Sequence, residues 1–130
     1  MSIIKEVASR LGATDLCAYS DSNGYQGCSY YILKKNSKYT VVSLHFGTCA
    51  LCDWAMGLQQ DWLDMHPSCG YSEVPLDAYE PIIASLVDDA NETGFHSVDI
   101  LLTKFDMIFG SGYYDTTVRG EVETYLRSNP

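Results

Sequence analysis

The chain has 130 residues, 46% of them hydrophobic and 12% aromatic, which is enough for a single globular domain over residues 1–130 with an ordinary core. No apolar run approaches the ~20 residues that span a bilayer, and the N-terminus lacks the long apolar region of a signal peptide, so we expect a cytoplasmic protein with no membrane partner. Eight basic residues stand against seventeen acidic ones, and the net charge of −9 argues against direct binding of DNA or RNA.

The first element is a short amphipathic helix over residues 2–11. Its apolar side chains recur at helical spacing, and Gly12 follows as a C-cap. We expect this helix to cover one face of a sheet.

Residues 19–27 are rich in Ser, Asp, Asn and Gly, and this composition predicts a loop or tight turn.

An antiparallel hairpin is the clearest supersecondary feature of the sequence. Residues 28–35 form one predicted strand, and residues 40–46 form the next, because each segment alternates in side-chain character. The segment from Lys35 to Lys38 makes a basic turn between them. In the second strand, Val42, Leu44 and Phe46 share the face that we expect to point into the core.

Four further helices are predicted after this hairpin. The first begins with Thr48 as its N-cap and Cys49 in its first turn, and it ends at the His66-Pro67 step. The others cover residues 75–93, 98–109 and 115–127, although the second of these also has some strand-like alternation. The sequence therefore predicts an α+β fold, in which a short antiparallel hairpin or small sheet is packed by four or five helices.

The cysteines offer one candidate site. Five cysteines in a reducing compartment are expected to be thiols or metal ligands and not a disulfide framework. Cys49 and Cys52, with His66 and Cys69, supply three sulfurs and one imidazole that tetrahedral zinc accepts, but a helix between the pairs separates them by roughly 20 Å. Alternatively, Cys49 and Cys52 at a helix start carry out thiol redox chemistry, or they are small buried thiols. No cofactor is predicted apart from this zinc alternative.

The acidic residues offer the other candidate. Residues 1–65 have a net charge of −1, whereas residues 66–130 have a net charge of −8. No nucleophile motif or glycine-rich phosphate loop is present, so we do not predict an enzyme. A concentrated negative surface with exposed tyrosines suits docking onto a basic groove of another protein, while a plain solvated surface is the alternative reading. The candidate partner-binding residues are Asp77, Glu80, Asp88, Asp89, Glu92, Asp99, Asp106, Tyr113 and Tyr114.

Two segments also carry a resemblance to a known group of proteins. Residues 25–28 and the run Val-Val-Ser-Leu-His-Phe-Gly-Thr-Cys-Ala-Leu-Cys-Asp over residues 41–53 resemble uncharacterised small bacteriophage proteins, in which an aromatic hairpin runs into Gly-Ser/Thr-Cys-x-x-Cys-Asp. The resemblance covers about a quarter of the chain. It implies a viral accessory protein that inhibits a host nucleic-acid-handling or defence protein by occupying its basic groove.

Overall fold

A computed structural model describes residues 2–22, 27–47, 53–109 and 117–128. Within these ranges the chain forms five α-helices and a three-stranded antiparallel sheet, which confirms the α+β prediction. In chain order, the elements are α1 (Ile3–Leu11), β1 (Thr14–Ser22), β2 (Gly27–Lys35), β3 (Lys38–Phe46), α2 (Trp54–Met65), α3 (Glu80–Thr93), α4 (Val98–Phe109) and α5 (Thr117–Ser128). Short 3₁₀ turns cover Tyr71–Glu73 and Leu76–Tyr79. None of the helices in the described ranges is long and apolar enough to cross a membrane.

The sheet is a meander in the order β1-β2-β3. The predicted hairpin is confirmed: Lys35 pairs with Lys38, and Asn36 and Ser37 between them have φ values of 52° and 65°. Two successive left-handed residues match the twist of the flanking strands. This turn fixes the register between β2 and β3.

The predicted loop over residues 19–27 is wrong at both ends, since Gly27 already belongs to β2. Residues 19–22 belong to β1, where Tyr19 pairs with Tyr30 and Ser20 pairs with Ser29. Pairing with a neighbouring strand satisfies the backbone of these residues, and this outweighs their preference for turns. Residues 23–26 lie outside the described part of the chain.

Helices cover both faces of the sheet. On one face, Leu33 and Val42 pack with buried residues of α1 and α3; on the other, Ile32 and Val41 pack with buried residues of α4 and α5. The prediction that only one face of β3 reaches the core is therefore incomplete, because Val41 is as buried as Val42. The sheet is the shared wall of two hydrophobic cores.

The helix α2 begins later than the sequence predicted. Asp53 has an extended backbone and is the N-cap, because its Oδ1 accepts a hydrogen bond from the Met56 amide at 3.0 Å. Its Oδ2 accepts a second bond from the amide of Gly47 at 3.2 Å, which links the end of β3 to the start of α2. Thr48, Cys49 and the rest of residues 48–52 lie outside the described part of the chain.

The remaining predicted helices are confirmed with small shifts in their bounds. His66 ends α2, and the segment predicted as one helix over residues 75–93 consists of a 3₁₀ turn followed by α3. The segment with mixed periodicity forms α4.

At the end of α3, Gly94 has φ 79° and ψ 170°, a conformation that only glycine adopts readily, and the chain turns there toward the edge of β3.

Candidate acidic binding surface

Three of the predicted acidic residues form ion pairs within the chain. Glu80 accepts two hydrogen bonds from the Arg10 guanidinium, at 2.7 and 2.6 Å. Asp99 pairs with Arg127 at 2.8 Å, and Asp106 pairs with Arg119 at 2.9 Å. Cations of the same chain therefore balance much of this part of the predicted negative surface.

The Arg10 contact also ties two helices together. Arg10 lies in α1 and bonds Glu6 in its own helix as well as Glu80 at the start of α3. The hydrogen bonds from Arg10 lower the pKa of the Glu80 carboxyl. Glu80 is thus held as a structural anion, because its charged form is the one that Arg10 stabilises.

Asp88, Asp89 and Glu92 differ from these residues, and we refer to them together as the acidic patch. They occupy the C-terminal end of α3, and the last turn of this helix contains no basic residue. No ion pair in the described ranges involves any of the three. Desolvation by the surrounding chain, followed by the charges of Glu92 and Asp88, raises the pKa of Asp89. The patch is a concentration of negative charge that no ion pair within the described ranges neutralises.

A groove of about 370 Å³ lies beside the acidic patch. Its lining consists of Val41, Val42, Ser43, Asp89, Glu92, Thr93 and Lys104. Val41 and Val42 are consecutive, and their side chains point to opposite faces of the sheet. Both line the groove because its floor is the edge of β3 and not a face, with α3 on one side and α4 on the other.

Lys104 on α4 is the one cationic side chain lining the groove in the part of the chain that the structure describes. Asp89 and Glu92 lie on the α3 side, so the two walls of the groove carry opposite charges. Sequence reasoning found the two carboxylates but missed Ser43 and Lys104. A weak signal for Ser43 existed, since an edge strand leaves its outer backbone groups for other partners, but none existed for Lys104 on α4.

Of the other predicted binding residues, those that the structure describes do not line this groove. Asp77 is exposed in the 3₁₀ turn Leu76–Tyr79, which precedes the N-terminal end of α3. Tyr113 and Tyr114 lie outside the described residues, as does the Gly-rich segment beside them. The acidic patch and the groove are therefore the part of the predicted surface that the structure brings together.

The predicted zinc ligands are described only in part. The Nδ1 atom of His66 lies 2.8 Å from the carbonyl oxygen of Trp62, and the two rings stack with centroids 4.0 Å apart. A hydrogen bond with Glu73 raises the pKa of the Cys69 thiol, which disfavours the thiolate that a metal binds. No cluster of three potential ligands is found within the described ranges, and Cys49 and Cys52 lie outside them. Zinc binding and thiol chemistry at these cysteines stay predictions.

A second cavity of about 380 Å³ lies on the opposite side of α3, between α1, α2 and the sheet. Among the described residues its lining is Ser2, Ile3, Ile4, Tyr31, Leu44, Ala55, Tyr79 and Leu86, and none of these side chains is charged.

Comparisons of the chain with known protein families, curated proteins and solved structures find no match.

Proposed function

We propose that the protein binds a basic surface of another protein through the acidic patch formed by Asp88, Asp89 and Glu92. The observation that carries this proposal is the position of these three carboxylates, at the end of α3 where they have no cationic partner in the described chain. The C-terminal end of a helix carries a partial negative charge, so each carboxylate there is unfavourable for the isolated protein. A basic partner relieves both this interaction and the repulsion among the three side chains.

We further propose that the partner is a host nucleic-acid-handling or defence protein, and that binding inhibits it. A surface that binds nucleic acid presents Lys and Arg to phosphates, and the same side chains suit clustered carboxylates. The net charge of −9 adds long-range attraction toward such a surface. The resemblance to small bacteriophage proteins supports a bacterial host.

The experiment is a capture of bacterial proteins on the immobilised protein, with bound proteins identified by mass spectrometry. The unmodified chain is compared with the triple variant Asp88→Asn, Asp89→Asn, Glu92→Gln at low and high salt. We expect a basic partner that the unmodified chain retains, that the triple variant loses, and that high salt or added DNA releases, because exposed charge contacts are screened by ions.

A matched control removes the same number of charges elsewhere. Asp61→Asn, Asp64→Asn and Glu121→Gln change exposed side chains on α2 and α5 that do not line the groove. This control is expected to retain the partner. If the triple variant captures the same proteins as the unmodified chain, the acidic patch is not the binding surface.

A further inference from the structure

Within the described ranges, the outer edge of β3 is paired only at Tyr39. The amide and carbonyl of Tyr39 exchange two hydrogen bonds with His96, each 2.7 Å long, so these groups point away from β2. Alternate residues of a strand direct their backbone groups to the same edge. The backbone groups of Val41 and Ser43 therefore point outward too, and the register of β3 is continuous past both residues. Val41 is only 2% exposed, so its outward groups are already covered, whereas Ser43 is partly exposed.

His96 occupies the last position of a fourth strand, because its bridge with Tyr39 is antiparallel and the positions opposite Val41 and Ser43 would come before it in sequence. The chain does not form these earlier positions as a strand. The chain reaches His96 directly after Gly94 ends α3, and α4 begins at Val98. In the described ranges, His96 is the only residue that pairs with the outer edge of β3. Beside Val41 and Ser43 lies the groove, where a strand leading to the His96 position would run.

The two edges of the sheet differ in their protection. Bulges, prolines and short length usually keep an edge strand from pairing with other chains. The edge strand β1 has a register shift between Asp15 and Cys17, whereas β3 pairs regularly over all nine of its residues and contains no proline. The edge of β3 is therefore suited to accept another strand.

The charges of the groove indicate which strand fits. Asp89 and Glu92 lie on the α3 side, and Lys104 lies on the α4 side. Side chains of an added strand alternate between these two sides. A segment with Lys or Arg at alternate positions places its cations beside the carboxylates and keeps its uncharged side chains beside Lys104.

We infer that an extended basic segment of the partner pairs antiparallel with the outer edge of β3 from Ser43 onward as a fourth strand, with its Lys or Arg side chains against Asp89 and Glu92. This inference rests on the proposed function and names the partner's binding segment. Backbone pairing supplies affinity in such complexes, and the alternate side chains supply specificity. A second copy of this chain is a poorer occupant, because its own acidic patch would approach that of the first.

The probe is a fluorescent peptide in which Thr and Lys alternate over about seven residues, the length of an ordinary strand. Two matched peptides carry N-methyl groups on all lysines or on all threonines. They have the same charge as the parent, but each lacks the donors along one edge only. With the lysines fixed toward α3 and the peptide antiparallel to β3, as His96 is at Tyr39, only one peptide edge can face β3.

We expect the parent and one N-methylated peptide to bind equally in a polarisation titration at low salt, and the other to bind at least about tenfold more weakly, as for the loss of several backbone hydrogen bonds. Equal binding of all three peptides overturns the edge-strand inference and leaves the charge-based function standing. No binding of the parent also overturns it, while the lysate capture still tests the function independently. A dimer in sedimentation that the peptide does not disrupt identifies a second copy as the occupant and overturns it as well.

Two variants of the protein complete the test. The double variant Asp89→Asn, Glu92→Gln is expected to weaken binding of the parent peptide. Unchanged affinity contradicts the assigned role of the carboxylates. Ser43→Pro removes an outward amide without breaking a bond to β2, and proline is tolerated at such edge positions. We expect this variant to bind the parent peptide at least about tenfold more weakly, because a backbone hydrogen bond is lost and the proline ring obstructs the added strand. If a thermal melt shows that this variant does not fold, the N-methylated peptides still decide the question.

Discussion

The two ends of α3 carry the same type of side chain in opposite circumstances. At the N-terminal end, Glu80 lies where the helix dipole favours an anion, and Arg10 of α1 holds it with two hydrogen bonds. At the C-terminal end, the acidic patch lies where the dipole disfavours anions, and no cation of the described chain pairs with it. One end contributes to the fold, and the other is where we propose that a partner binds. The number of acidic residues alone does not distinguish these roles; their position along the helix and their distance from cations do.

The largest expected effect is at Gly94, which ends α3 beside the acidic patch. An alanine there adopts a backbone conformation that costs about 1–3 kcal/mol for a non-glycine residue. Its Cβ would also lie 3.0 Å from Nε2 of His96, which donates a hydrogen bond to the Thr93 carbonyl. We expect Gly94→Ala to lower the free energy of unfolding by at least this amount in a urea titration.

Gly120→Ala is the matched control for this substitution. Gly120 lies inside α5, and an added Cβ would meet nothing within 4 Å. Alanine is a better helix former, so this variant is expected to be more stable by up to about 1 kcal/mol. Equal effects at both positions would show that the turn at Gly94 is not under conformational constraint.

The next effect concerns the acidic patch itself. Asp89→Asn with Glu92→Gln removes two charges from the negative end of α3, and we expect the protein to become more stable by about 1 kcal/mol. The gain should shrink at high salt, and thermal melts at two salt concentrations measure it. A loss of stability would show that these carboxylates have stabilising partners.

The stability conferred by Asp89 also depends on pH with a defined sign. Its pKa is raised in the folded state, so the folded chain binds this proton more tightly than the unfolded chain does. The resulting stabilisation is present below the ordinary carboxyl pKa of about 4 and is lost as pH rises through the folded value. The double variant should lack this contribution when melts are compared across that range.

The smallest effect is expected at the other end of α3. Arg10→Gln breaks the pair with Glu80, and a small decrease in melting temperature is expected because both side chains are well exposed. The pKa of Glu80 is lowered, so the stability from this pair is present above the ordinary Glu pKa and is lost as pH falls. The opposite pH dependences of the two ends are the sharpest test of the contrast. If Arg10→Gln leaves the acid side of the stability curve unchanged, Glu80 is not a structural anion.

Local patterns were sufficient for much of the fold. Ser2 and Gly12 mark the ends of α1, and Asn36 and Ser37 mark the hairpin turn, because caps and turns depend on adjacent residues. The strand β1 was missed since its second half has the composition of a turn, and its conformation is decided by pairing with β2. Burial of both Val41 and Val42 was missed because alternation predicts one buried face, whereas helices here cover two.

The candidate site was predictable in composition but not in arrangement. Clustering of Asp88, Asp89 and Glu92 follows from helical spacing. The neutralisation of Glu80 cannot be predicted in this way, because its partner Arg10 lies 70 residues away in sequence. Nor does sequence indicate that Lys104 and the edge of β3 meet the patch, since this depends on how α3 and α4 pack on opposite faces of the sheet.

The sheet as a common wall also has a consequence for how the protein unfolds. Ile32 and Leu33 are neighbours in β2 and are each fully buried, one in each core. Loss of either helix layer exposes apolar surface of the strands and weakens the ladder on which the other layer packs. The two cores should therefore melt as one cooperative unit, seen in calorimetry as a single transition whose van't Hoff and calorimetric enthalpies agree.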